Sequence, residues 1–341
     1  MENKQNLLTI VVPIYQPKKD ISAILKNLTK QKNQNFDVII LIDKPNDNEL
    51  EVIKKYKQNI GNRLKLIINS SHQHISIALR QAFTFVKTEY SYIFYSYSYI
   101  KSEFTNHIIN FINKSVTKPD FIELNGYCRG LVHYDFYRDK FQNEKIINLE
   151  LDKSPITLIS PYSFNFLTKT EIYKKIYVEN ITKTDNLEFS ASCKYKSIIL
   201  SKTFAYYKNT WVEDYNFDIS ILSPKIINLE WENIWGLFNQ LYNNNNEELK
   251  NEELKEALLF SQKMHLQHFE AGMLGQINIK NKKSLKLIKT NALLLINKFN
   301  EKNPNIINKN KYFLHNKIVI LNDVDIQQIS KWEKIFKNFT W

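Results

Sequence analysis

Apolar positions along the first half of the chain switch repeatedly between two rhythms. Residues 7–12 form a largely apolar run rich in β-branched residues that stops at Pro13, which predicts a buried strand. Ile21, Ile24, Leu25 and Leu28 then recur at helical spacing behind Asp20, a residue suited to cap a helix. Residues 36–42 predict a second buried strand, followed by the turn-like Lys44-Pro45-Asn46-Asp47-Asn48 and a helix over 49–56. A third short strand falls on 64–68. Ile75, Leu79, Ala82, Phe83 and Val86 share one helical face, residues 90–95 predict a fourth strand and residues 121–124 a fifth.

Strands separated by helices of about a dozen residues predict an α/β fold, a mixed and mainly parallel sheet flanked by helices. Such sheets bind ligands beyond the carboxyl ends of their strands, so the polar residues just after each strand carry the functional interest. Past Pro224 the strand signals fade. The Asn-rich stretch at 243–246 reads as an exposed loop, and residues 252–275 and 283–299 read as helices. The expected organisation is one α/β domain over residues 1–224 and a mainly helical C-terminal region over 225–341, with a second, looser break near Tyr242.

Composition narrows this picture only a little. Hydrophobic residues make up 43% of 341, enough for a large core and against global disorder. Cys128 and Cys193 lie far apart without zinc-like spacing, as expected of a reducing compartment. The first residues lack a signal-peptide pattern, and no window reaches the roughly 18 apolar residues of a membrane span. A cytoplasmic protein, free or peripheral at the inner face of the cell membrane, is the expectation. The formal charge of +12 fits a nucleic-acid partner or an anionic bilayer, and equally the Lys-, Asn- and Ile-rich usage of AT-rich coding sequence. Charge alone selects none of these. No nucleic-acid-binding module is recognisable, which leaves a basic nucleic-acid-binding protein as the weakest reading.

The chemistry-bearing residues fall into a familiar order. The first strand ends in Val12-Pro13-Ile14-Tyr15, and the second in Leu41-Ile42-Asp43-Lys44-Pro45-Asn46-Asp47. Ser76, Ala78 and Arg80 follow at a helix start, and Thr88-Glu89-Tyr90 leads into the fourth strand. Over residues 7–210 this arrangement resembles the inverting glycosyltransferases of family 2, which have the GT-A fold. In that family the first strand ends in a Val-Pro-x-Tyr-Asn-like turn and the second in Val-Asp-Asp-Gly-Ser-x-Asp. Asp43 and Asp47 keep acidic positions of the second motif, Ile42 replaces its first Asp and Lys44 its Gly. The resemblance implies a nucleotide-diphosphate sugar donor, UDP-linked foremost, held by Pro13, Ile14, Tyr15, Asp43, Asp47, Ser76, Arg80 and Ser96. An ionised Asp43 accepts the N–H of a uracil or guanine edge, or alternatively only begins a turn. Arg80 suits a diphosphate, or is a solvated charge on the helix.

Two further implications concern catalysis. The family places an Asp-x-Asp motif after the fourth strand, where this chain has Tyr95-Ser96-Tyr97 inside the run YIFYSYSYI. No carboxylate stands there for Mg²⁺ or Mn²⁺, so no metal ligand is assigned and metal dependence is left open. An inverting transfer also needs a general base for the acceptor hydroxyl. Asp185 falls where the family carries that acid, with Glu188 one turn on as an alternative. The Glu213-Asp214 pair offers Asp214 as a second alternative. The resemblance further sets a strand at 197–200 and a Tyr-rich turn at Tyr206-Tyr207-Lys208. His265 and His268 lie three apart on a predicted helix, a metal-ligand spacing without nearby acids.

The function implied is transfer of a hexose to a hydroxyl acceptor such as a membrane lipid or glycan, with inversion. A catalytically inactive sugar-nucleotide- or glycan-binding relative is the alternative that Tyr95-Ser96-Tyr97 raises. At the end of the chain, Ile326, Ile329, Trp332, Ile335, Phe336 and Phe339 share one helical face against Lys331, Lys334 and Lys337. That pattern suits either an interfacial helix on an anionic membrane or a helix docked on the core.

Overall fold

The computed structural model describes residues 5–14, 21–130, 133–136, 141–179, 191–216, 224–242, 248–267 and 282–316. Four apolar runs pair in parallel: β1 (Leu8–Ile14), β2 (Phe36–Asp43), β3 (Leu64–Asn69) and β4 (Tyr90–Ile93). Their crossovers are α1 (Ile21–Thr29), α2 (Asp47–Ile60) and α3 (Ile75–Phe85). Every residue of β1 is buried, as expected for a strand flanked by parallel neighbours under helices. The predicted apolar faces of α1 and α3 are the buried ones. β1 continues through Pro13 rather than stopping there, with Pro13 opposite Leu41 and Ile14 opposite Ile42. One missing N–H so near the strand end costs the ladder little. Asp20, the expected cap of α1, lies outside the described residues.

The second half of the sheet is mixed. It adds β5 (Ser98–Ile100), β6 (Phe121–Arg129) after α4 (Phe104–Lys114), β7 (His133–Phe136) and β8 (Ile146–Asn148). After α5 (Ser154–Leu158) come β9 (Phe166–Lys169), α6 (Thr170–Lys174), α7 (Ala191–Ile199) and β10 (Thr203–Asp214). The strand order is β3-β2-β1-β4-β9-β6-β10-β5, with β7 on β6 and β8 on β10. Only residues 94–97 link β4 to β5, although β9, β6 and β10 stand between them. In a flat sheet those strands would lie about 19 Å apart. The link contains a tight turn, Ser98 N–H to Tyr95 O at 2.9 Å, so the sheet curls until β5 returns beside the end of β4.

Two expectations are corrected here. Residues 197–199 finish the helix α7 and do not form a strand, because a short apolar run buried on all sides has no periodicity to separate helix from strand. Tyr206 and Tyr207 lie inside β10, not in a turn; the irregularity comes after them, where the pairing with β6 shifts register between Tyr207 and Trp211.

The later helices are α8 (Pro224–Tyr242), α9 (Glu248–Gln267), α10 (Lys282–Lys302), α11 (Ile306–Lys309) and α12 (Lys311–Asn316). Their apolar side chains join the same buried cluster as the sheet. Trp231 packs on Tyr195 of α7 with ring centroids 4.9 Å apart, and Ser261 of α9 donates to the Ile156 carbonyl of α5 at 2.9 Å. His265 is buried and accepts from Trp231 Nε1 at 3.0 Å, a packing role and not a metal ligand's. No described helix is long and apolar enough to cross a membrane. His268 and the amphipathic stretch at 326–339 lie outside the described residues.

Candidate functional site

The chain crosses the sheet from β1 to β2 to β3 and then returns to set β4 on the other side of β1. The strand order therefore reverses between β1 and β4, the point where open α/β sheets hold their ligands at the carboxyl ends. Pro13 and Ile14, both buried, form the floor of that mouth. Tyr15 lies outside the described residues.

Asp43 ends β2 opposite Asn69, the last residue of β3. Its carboxylate turns along the mouth toward the loop after β3. Oδ1 accepts Asn69 Nδ2 at 2.8 Å; Oδ2 accepts the Gln73 N–H at 2.8 Å and faces His72 Nδ1 at 3.1 Å. The Asp43 side chain is 6% exposed and that of His72 is 51% exposed. Lys44 follows with φ 45°, a left-handed conformation rarely taken by a non-glycine residue, and its N–H donates to the Asn69 carbonyl at 2.8 Å. The backbone thus keeps the shape for which the family motif has Gly, although Gly is absent. Asp47 opens α2 as an exposed first-turn acid behind the Asn46–Glu49 capping box. It sits on the helix surface.

On the other side of the mouth, Tyr95 to Ser98 form the tight turn that replaces the acidic motif. Tyr95 is buried, with its hydroxyl 3.0 Å from Ser163 Oγ, and stacks on Tyr97 with centroids 5.6 Å apart. Ser96 is half-buried at the centre of the turn. Hard divalent cations take charged oxygen ligands, which this turn does not offer. No group of three His, Cys, Asp or Glu side chains poised for a metal occurs among the described residues. The residues present do not fit the expected Asp-x-Asp cation, and no step below is routed through one.

The curl of the sheet brings other acids to this turn. β10 pairs with β5 so that Asp214 stands opposite Ser98 and Glu213 opposite Tyr99, and the Tyr215 N–H donates to the Tyr97 carbonyl at 3.1 Å. Asp214 is buried and lies close enough to Tyr92 to add to the effect of burial in pushing that phenol's pKa up. Glu213 points to the opposite face. There burial would raise its pKa, but hydrogen bonds from Tyr215 (2.6 Å) and Trp211 (3.3 Å), with Lys101 at 3.8 Å, hold it below the usual range. The same bond pushes the Tyr215 phenol up to about 12.

The helix-start residues divide. Ser76 is buried in the first turn of α3, 2.7 Å from the His74 ring that caps the helix, whereas Arg80 is exposed one turn on. Asp185 and Glu188 lie outside the described residues; of the other expected site residues, Ile14 ends β1, Asp43 ends β2, Ser96 lies in the turn after β4 and Asp214 stands opposite Ser98. His72, Asn69 and Gln73 surround the Asp43 carboxylate; the sequence marks His72 and His74 as able to touch phosphates from this loop, and no pattern marks Asn69 or Gln73. Only the two histidines after the third strand signalled that loop, and nothing in the pattern ties them to Asp43.

Residues 9–96 match the sequence profile described as Glycosyl transferase family 2. Over 132 residues the chain is 30% identical to a teichoic acid poly(glycerol phosphate) polymerase from Staphylococcus epidermidis, covering 35% of this chain and 18% of that protein. Among solved structures, TarS of S. aureus superposes with a TM-score of 0.56 at 14% identity, over 86% of this chain and 55% of that one. A TarS 1–349 fragment in complex with UDP-GlcNAc superposes with a TM-score of 0.51, also at 14% identity, over 86% and 90%. The chain thus spans about half of the longer TarS structure and less than a fifth of the polymerase. Residues 9–96, from β1 to the turn after β4, thus match the family-2 glycosyltransferase profile, and the strand order and the TarS superposition give the chain a GT-A fold.

Proposed function

We propose that the protein transfers a hexose from a nucleotide-diphosphate sugar, a UDP-sugar foremost, to a hydroxyl of a glycan or lipid acceptor with inversion at the anomeric carbon. The observation that carries this reading is the mouth at the β1–β4 switch point, with Asp43 on one flank and the Tyr95–Ser98 turn beside Asp214 on the other. The nucleotide lies toward β2 and β3, and the sugar toward the turn. Ser76 and Arg80 stand on the diphosphate side, where a planar guanidinium suits phosphate oxygens.

The acceptor hydroxyl loses its proton to a carboxylate as it attacks the anomeric carbon, and the nucleoside diphosphate leaves from the opposite face. Asp185 is the proposed base, with Glu188 and Asp214 as alternatives. Asp214 draws support from its place beside the β4 turn. Residues 1–224 are proposed as the transferase unit and 225–341 as its helical extension, with the amphipathic stretch at 326–339 as a contact to anionic lipid. Because a similar protein is a teichoic acid polymerase and a similar TarS structure holds UDP-GlcNAc, UDP-GlcNAc is the first donor to test and UDP-glucose the second. Incubating the protein with each donor and following UDP release with and without a glycan acceptor tests the reading. Donor binding without release under any acceptor would favour the inactive-relative alternative that Tyr95-Ser96-Tyr97 raises.

A further inference from the structure

We infer that the outward face of β5, β6 and β10 beside the Tyr95–Ser98 turn is a glycan-binding platform, on which sugar rings of the acceptor stack over Tyr99 and Trp211. The inference rests on the glycosyltransferase reading and narrows its acceptor from glycan or lipid to glycan.

Strand register sets these side chains together. Glu213 of β10 stands opposite Tyr99 of β5 and opposite Tyr127 of β6, and Trp211 precedes Glu213 by two residues on the same face. The alternating residues Val212, Asp214 and Ile100 are buried on the other face. The rings outside stay open to solvent: Tyr99 is 39% exposed, and Tyr127 and Trp211 are half-buried. Tyr127 meets Trp211 edge to face with centroids 6.0 Å apart. Lys101 Nζ lies 4.8 Å from the Trp211 ring centre and 5.6 Å from that of Tyr99, which holds the two rings in one surface. Contiguous exposed rings rimmed by polar groups mark a binding site.

The polar groups among the rings select the ligand. A sugar ring has an apolar C–H face and a rim of hydroxyls, so it fits flat aromatic surface with hydrogen-bonding groups at its edge. Glu213 accepts Trp211 Nε1 at 3.3 Å and the Tyr215 hydroxyl at 2.6 Å, two of about four lone-pair sites on the carboxylate. Its side chain is 19% exposed and that of Lys101 is 40% exposed, 3.8 Å apart. A hydroxyl arriving at the edge of Trp211 therefore finds an acceptor and a donor side by side. An acyl chain laid on the same face would strip water from both charges and return nothing for it. Position ties the platform to the mouth. Tyr99 follows Tyr97 by two residues, about 7 Å along the strand. The Tyr97 carbonyl in turn accepts the Tyr215 N–H at 3.1 Å. An acceptor whose reacting hydroxyl sits at the turn lays its inner units over Tyr99 and Trp211.

The test measures binding by calorimetry on the full chain, with chitotetraose, cellotetraose and a short-chain diacylglycerol micelle as probes and UDP as the reporter of the donor site. Wild-type protein should bind at least one tetrasaccharide. Trp211→Ala should weaken it about tenfold and Tyr99→Ala about fivefold, the loss of one stacked ring each, with UDP affinity unchanged. Trp211→Phe keeps a ring and should retain most of the affinity, and Tyr99→Ala alters an exposed position, so the pair reads the platform even where Trp211→Ala unfolds. Glu213→Gln should weaken the tetrasaccharide severalfold. Wild-type protein that binds UDP and neither tetrasaccharide overturns the inference while leaving the donor site standing. Tetrasaccharide affinity that is the same in wild type, Tyr99→Ala and Trp211→Phe,Tyr99→Ala also overturns it. Micelle binding lost in these variants, with no sugar bound, overturns it by assigning the face to lipid. Tetrasaccharide binding without UDP binding keeps the platform and overturns the transferase reading.

Discussion

Lys194 of α7 donates through Nζ to Glu123 Oε1 of β6 at 2.8 Å, and neither side chain has any surface exposed to solvent. Ser160 Oγ at 2.9 Å and Asn165 Oδ1 at 2.6 Å also accept from the ammonium, while the Ser160 N–H donates to the same carboxylate oxygen at 3.0 Å. The pair locks α7 to the centre of the mixed half of the sheet, on the side that carries β10 and Asp214. Lys194→Met leaves a buried charge without its partner and should cost about 3–5 kcal/mol, because desolvation of the remaining ion is no longer compensated. The double variant with Glu123→Leu should be far less destabilised than the sum of its parts. Urea unfolding of the single and double variants checks this; equal and additive losses would show that the two charges do not depend on each other.

His265 sets a pH dependence. Burial pushes its pKa down to about 3, while in the unfolded chain it titrates near the ordinary value of about 6.5. Above that value both states are neutral and the contribution is fully present. As pH falls from about 6.5 toward 3, the unfolded chain takes up a proton that the folded chain refuses, so stability falls by up to about 1.4 kcal/mol per pH unit from this group. His265→Asn should flatten that slope, read from urea midpoints at pH 7, 6 and 5.

Lys44 occupies a left-handed position that costs an L-residue roughly 1–2 kcal/mol. Lys44→Gly should therefore be neutral or stabilise by up to about 1 kcal/mol, after the greater chain entropy of glycine in the unfolded state is set against the relief. A melting temperature several degrees lower would mean that the Lys44 side chain contributes more than its backbone costs.

The general base separates from donor binding. Asp185→Asn should lower turnover at least about a hundredfold with UDP affinity unchanged, as expected when a base is removed from a transition state. The same pattern in Asp214→Asn, with Asp185→Asn active, would move the role to the end of β10. Unchanged turnover in both variants and in Glu188→Gln would reject the assignment of these acids altogether.

Metal dependence is testable by melting. A donor bound only by the folded chain at about a hundred times its Kd adds about 2.7 kcal/mol of stability. With no carboxylate within the Tyr95–Ser98 turn, and with Glu213 and Asp214 of β10 facing opposite ways beside it, the rise in Tm with UDP-sugar should be the same in Mn²⁺ and in EDTA. A rise that appears only with Mn²⁺ would point to ligands outside the described residues.

Local pattern alone settled the first half of the fold. Residues 8–14, 36–43 and 64–69 are strands because short, largely apolar runs bounded by turn residues fit no amphipathic helix, and Ile21, Ile24, Leu25 and Leu28 turn inward because their spacing admits one face. The order of those elements and the acids at their ends sufficed to indicate the family. Long-range pairing decided the rest. Residues 197–199 became helix because tertiary burial, not local preference, selects the form of a short all-apolar run. Glu213-Asp214 reached the turn at Tyr95-Ser96-Tyr97 only because the sheet curls to bring β10 against β5, a contact between residues more than a hundred positions apart. Asp43 found His72 for the same reason: side-chain direction at a strand end is fixed by neighbouring loops, and no periodicity along the chain encodes it.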